Sequence, residues 1–119
     1  MDTGKHNYAY YEGYEGETEF VLSSGNESIH IWDGYISDIF GDPIIVEKGW
    51  KGLTKDYNEL TGPYGDNEEP CQISTDEYLA DALLYRDHKC AYEESSDVLE
   101  ELINWLRNHK DSVVFASVN

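Results

Sequence analysis

Cations are what this sequence lacks. Only 8 Lys and Arg stand against 25 Asp and Glu in 119 residues, a formal net charge of −17. No Lys or Arg occurs between Lys5 and Lys48, where Glu12, Glu15, Glu17, Glu19, Glu27, Asp33, Asp38, Asp42 and Glu47 accumulate. The span from Lys55 to Arg86 repeats the pattern with Asp56, Glu59, Asp66, Glu68, Glu69, Asp76, Glu77 and Asp81. Nucleic-acid binding needs cations that displace condensed counterions, so this composition argues against DNA and RNA. It argues equally against an anionic lipid surface, and it steers basic partners inward, raising encounter rates roughly 10- to 1000-fold.

Long apolar runs are missing too. No stretch approaches the roughly 20 apolar residues of a membrane span. The segment Met1 to Tyr11 has neither the basic n-region nor the apolar h-region of a secretory signal, so a cytoplasmic location is expected. There, Cys71 and Cys90 are expected to stay reduced rather than form a bridge.

Catalytic and cofactor motifs are also absent. His6, His30, His88 and His109 are scattered without ligand spacing, so no metal site is expected. There is no phosphate-binding Gly-Lys-Ser/Thr loop, no Gly-x-Ser-x-Gly elbow and no His-Glu-x-x-His helix, and no cofactor is expected. The acidic run Asp66-Asn67-Glu68-Glu69 lacks the alternating ligands and central glycine of an EF-hand. In a chain this acidic almost any carboxylate pairing exists, which singles out none. No catalytic residue is assigned, and a non-enzymatic role is expected.

Aromatic residues, by contrast, are plentiful: ten Tyr, three Trp and three Phe. They bury large areas, which favours a folded chain over a disordered acidic tail. The length fits one domain spanning residues 1–119. Residues 7–16 interleave Tyr8, Tyr10, Tyr11 and Tyr14 with glycine and glutamate. That segment is read either as an irregular edge strand or mobile terminus, or as a tyrosine-rich contact surface.

From Glu17 to Trp50 the pattern is strand-like. Glu19–Leu22 ends at the turn cluster Ser24-Gly25-Asn26, and Ile29 and Ile31 alternate with Ser28, His30 and Trp32. Asp33-Gly34 reads as the turn of a second hairpin, leading into a strand or short helix over 35–40. Ile44-Ile45-Val46 is a short β-branched run, and Glu47 to Pro70 reads as mostly loop. Ser74 with Glu77 is a capping-box signature for a helix carrying Tyr78, Leu79, Ala82 and Leu83. A second helix is predicted from Ser95 or Ser96, with Leu99, Leu102, Ile103 and Leu106 at helical spacing. Val113 to Val118 reads as a final strand. The prediction is an α+β fold of N-terminal antiparallel hairpins, a long acidic loop, two C-terminal helices and a last strand.

In size, charge, aromatic content and mixed α+β pattern, the chain resembles the immunity proteins of bacterial contact-dependent inhibition and colicin systems. The resemblance implies a protein that neutralises a basic protein toxin, a nuclease, by occluding it, and self-repulsion of the net charge leads us to expect a monomer or small homo-oligomer. No family residue is carried over. The candidate partner-binding residues come from charge and aromatic content alone: Tyr10, Tyr11, Glu12, Tyr14 and Glu15; Trp32, Asp33 and Tyr35 at the expected hairpin tip; and Asp66, Glu68 and Glu69 in the long loop. A DNA mimic that inhibits a nuclease is the second reading, and a small hydrolase with an acid pair the third.

Overall fold

A computed structural model describes residues 5–65 and 69–119. Asp66 and Glu68, two of the candidate residues, lie outside the described residues. In chain order the elements are β1 (His6–Tyr10), β2 (Glu19–Ser24), β3 (Glu27–Trp32), α1 (Asp33–Phe40), α2 (Gly52–Glu59) and a 3-10 turn (Gly62–Tyr64). Then come β4 (Cys71–Ile73), α3 (Thr75–Leu83), α4 (Ser95–Asn108) and β5 (Val114–Val118). The strands form a mixed sheet in the order β1-β3-β2-β5-β4, so the fold is α+β.

The hairpin β2–β3 is the organising unit, registered from Glu19 opposite Trp32 to Ser24 opposite Glu27. Alternation along it sends Phe20, Leu22, Ile29 and Ile31 into the core, joined by Val114 and Ala116 of β5. Against this face pack Ile36, Ile39 and Phe40 of α1, Leu53 of α2, Tyr78 and Ala82 of α3, and Val98, Leu99, Leu102, Ile103 and Leu106 of α4. The opposite side of β3 carries Ser28 and His30.

Four expectations are corrected. The first strand is not antiparallel: β1 runs parallel to β3 on the sheet edge, with His6 opposite Ser28 and Asn7 opposite Ile29. Its edge is partly closed by its own side chain, since Asn7 Oδ1 accepts the Ala9 N–H at 3.0 Å.

Asp33-Gly34 is not a hairpin turn. It opens α1, whose buried residues Tyr35, Ile36, Ile39 and Phe40 fall on one helical face, with Asp33 at the positive end of the helix dipole. Ile44-Ile45-Val46 forms no strand, and Ile45 is 83 % exposed.

The stretch 47–70 is more structured than a loop, because it contains α2 and the 3-10 turn. What holds α2 comes from elsewhere: the Asp81 carboxylate of α3 accepts the Thr54 N–H at 2.8 Å and the Thr54 hydroxyl at 2.7 Å. The backbone of α2 lies so close to α3 that a Cβ on Gly52, at φ +62°, would sit 2.8 Å from the Glu77 carbonyl oxygen.

Candidate functional site

The end of β3 and the start of α1 place two aromatic rings side by side. Trp32 closes the strand, and Tyr35 lies one turn into the helix, their centroids 5.2 Å apart and nearly perpendicular. Gly34 permits this, because a Cβ there would meet the Trp32 indole at 2.3 Å. The turns after β1 return the chain to the same place. Tyr14 stacks flat on Trp32 at 4.0 Å and meets Tyr35 edge-on at 5.9 Å.

A fourth ring arrives from the far half of the sequence. Tyr92 lies 5.6 Å from Trp32 and 6.0 Å from Tyr35, and it is 45 % exposed. Asp38 of α1 holds it there. One Asp38 carboxylate oxygen accepts the Ala91 N–H at 2.8 Å, and the other accepts the Tyr92 N–H at 2.8 Å and the Ser95 hydroxyl at 2.6 Å. Burial alone would raise the Asp38 carboxyl, but these hydrogen bonds outweigh it and hold the group below its ordinary value. The same contacts satisfy the amides leading into α4, so the aromatic cluster and the helix start share one anchor.

Carboxylates rim the cluster. Glu17 accepts the Trp32 indole N–H at 3.3 Å, and its backbone carbonyl accepts the Tyr11 hydroxyl at 2.6 Å. The Tyr35 hydroxyl is pushed up to about 12, first by burial, then by its hydrogen bond with Tyr14 and the nearby Glu94 charge. Tyr10 is raised by burial and by Glu101 and Asp97 of α4. Glu94, Asp97 and Glu101 are three and four residues apart in sequence, so they share one side of the helix and line the flank that carries Tyr10.

The structure therefore joins two of the three candidate groups. Tyr14 meets Trp32 and Tyr35 directly, and Tyr10 and Tyr11 flank them. Glu12 and Glu15 are exposed on the turns between, where Glu15 accepts the Gly13 N–H at 3.0 Å. Asp33 is engaged internally, accepting the Tyr64 hydroxyl at 2.8 Å, which helps push that buried phenol far up. Glu69 is exposed but stands apart, just before β4 at the opposite sheet edge, roughly 19 Å from β1 by strand spacing. Tyr92, Asp38 and Glu94 were not singled out from the sequence. The one available signal was Tyr92-Glu93-Glu94, an aromatic and two acids directly before a helix.

Elsewhere two carboxylates are engaged within the fold. Asp81 caps α2, and Asp56 accepts the Tyr78 and Thr61 hydroxyls. Burial pushes Asp81 up to about 6 despite the donors from Thr54 and Leu53, with nearby Asp56 adding to the rise. A hollow of about 370 Å³ lined by Lys51, Lys55, Asp56 and Tyr78 opens beside α2. Among the described residues no group of three or more His, Cys, Asp or Glu is arranged to hold a metal ion. No helix among the described residues is long and apolar enough to cross a membrane.

The fold and site together define an α+β domain presenting an acid-rimmed aromatic surface. Comparison with protein-family models, with curated proteins and with solved structures returned no match.

Proposed function

We propose that this protein is an immunity protein, binding a basic protein toxin, a nuclease, and neutralising it by charge-complementary occlusion. The observation that carries this reading is the cluster of Tyr14, Trp32 and Tyr92 packed over the buried Tyr35, with Glu17 and Glu94 against it. Interfaces concentrate their energy in a few aromatic and charged anchors, and rings already packed together lose little freedom on binding. The surrounding carboxylates steer a cationic active-site rim towards those anchors and enforce register. The protein acts in the cytoplasm, without a cofactor and without chemistry of its own. A compact aromatic centre favours this reading over a DNA mimic, which needs carboxylates in long rows with few apolar anchors.

The test is binding and inhibition against the product of the gene immediately upstream and against a panel of unrelated basic nucleases. The reading expects tight, salt-weakened association with one cognate toxin and none with the panel. Similar inhibition of several DNA-binding enzymes would overturn it in favour of mimicry.

A further inference from the structure

The run Ile44-Ile45-Val46 forms no strand, yet its loop is fastened at both ends. The Ile44 N–H donates to the hydroxyl of buried Tyr85 at 3.1 Å, and the Ile44 carbonyl accepts the Trp50 indole N–H at 3.1 Å. Between these anchors the Gly49 N–H donates to the Val46 carbonyl at 2.9 Å, with Gly49 at φ +89°. The loop so fixed holds Ile45 out in solvent at 83 % exposure, next to the partly exposed Val46. Val46 lines a hollow of about 410 Å³ together with Ala80 of α3 and the exposed Leu84 that follows it. Clustered exposed apolar residues mark an interaction surface, and a loop already fixed loses little freedom when it is covered.

Charges of both signs stand around this hollow. Lys48 and Lys51 come from the loop, Asp76 and Glu77 from the first turn of α3. Among the described residues no ion pair joins these lysines to these carboxylates. Lys48, Lys51 and nearby Lys55 are three of the eight cations of the chain, so this face offsets the net charge of −17 that otherwise keeps two copies apart. A surface that carries a projecting side chain, a hollow and both signs of charge is complementary to itself. That is the requirement of a two-fold contact, in which each copy offers the same patch to the other.

We propose that this face is a two-fold docking surface for a second copy of the chain. Ile45 of each copy seats against Val46, Ala80 and Leu84 of the other, and Lys48 and Lys51 face Asp76 and Glu77 across the axis. The surface is built from the loop 44–51 and α3, and uses none of Tyr14, Trp32, Tyr35 and Tyr92. The dimer therefore stands whether or not the aromatic cluster meets a toxin.

Sedimentation velocity on the intact protein tests it, over about 1–500 μM at fixed salt. The expected result is a monomer of 13.6 kDa passing to a closed species of twice that mass. Ile45→Asp should leave the far-ultraviolet dichroism unchanged and raise the dimer dissociation constant about 10-fold or more. Charge reversal supplies a second readout. Lys48→Glu with Lys51→Glu, and separately Asp76→Lys with Glu77→Lys, should each weaken self-association. Mixing the two variants should restore it, because opposite charges then face each other on both sides of the axis. A protein that stays monomeric throughout the series would overturn the proposal and leave the face to a different partner. So would open-ended growth beyond two copies, a dimer indifferent to Ile45→Asp, or folded charge variants that mixing does not rescue.

Discussion

The Trp32 indole lies flat on the Tyr14 phenol, with centroids 4.0 Å apart and planes within 5° of parallel. One ring ends a central strand and the other comes from the turns behind the edge strand, so the contact ties the tyrosine-rich segment to the body of the fold. The stack depends on an unusual vacancy at Gly34, where any side chain would enter the indole.

Gly34→Ala should therefore displace Trp32 although alanine is the better helix former. The expected loss is about 1–3 kcal/mol, as for an overpacked site. Urea titration measures it, and a weakened near-ultraviolet aromatic dichroism locates it. A stabilised variant with unchanged aromatic dichroism would contradict the packing described.

Asp38→Asn should free the segment that carries Tyr92, at a cost of about 1 kcal/mol, typical of a lost helix-end acceptor. Faster exchange of the Ala91 and Tyr92 amides is the direct readout. The pH dependence has a definite sign. The Asp38 carboxyl is lowered on folding, so its contribution is present above the ordinary carboxylate value of 3.8 and disappears as pH falls through the folded value. The variant should lose that part of the acid unfolding transition.

Asp81 acts in the other direction. Its carboxyl rises from 3.8 to about 6 on folding, so the native state binds the extra proton. Stability from this group is greatest at the acid end and falls as pH rises from 3.8 through about 6, by up to about 3 kcal/mol for a shift of this size. Denaturant midpoints measured across that range should flatten in Asp81→Asn.

Two kinds of variant should divide the binding kinetics once a cognate toxin is in hand. Trp32→Ala removes a packed anchor and is expected to raise the dissociation rate more than 10-fold, about 2 kcal/mol. Charge reversal at Asp97 and Glu101 should chiefly slow association and reduce its salt dependence. Surface plasmon resonance at two ionic strengths separates the two effects.

What the sequence made legible was whatever local pattern could carry. The alternation of β2 and β3, the Ser74 cap accepting the Glu77 N–H at 3.2 Å and the heptad-like stripe of α4 are all periodic or short-range signals. The errors share a different origin. Helix α2 depends on a carboxylate 27 positions away, and β4 is three residues long and pairs with a strand more than 40 positions further on. Asp33-Gly34 carries a turn signal that the burial of Tyr35, Ile36, Ile39 and Phe40 overrides. At the site, composition found Tyr14, Trp32 and Tyr35 but assigned Tyr14 to a different surface from the other two. Asp38, which brings Tyr92 to them, reaches amides more than 50 positions away.

The place of β5 between β2 and β4 has a consequence for how the chain comes off the ribosome. Strand β4 is synthesised about 40 residues before the strand it pairs with, a wait of roughly 2–8 s at about 5–20 residues per second. Until β5 emerges, neither β2 nor β4 has the strand that lies between them in the finished sheet. Completion of the sheet is then a late, long-range step in which a single strand seats both its neighbours at once.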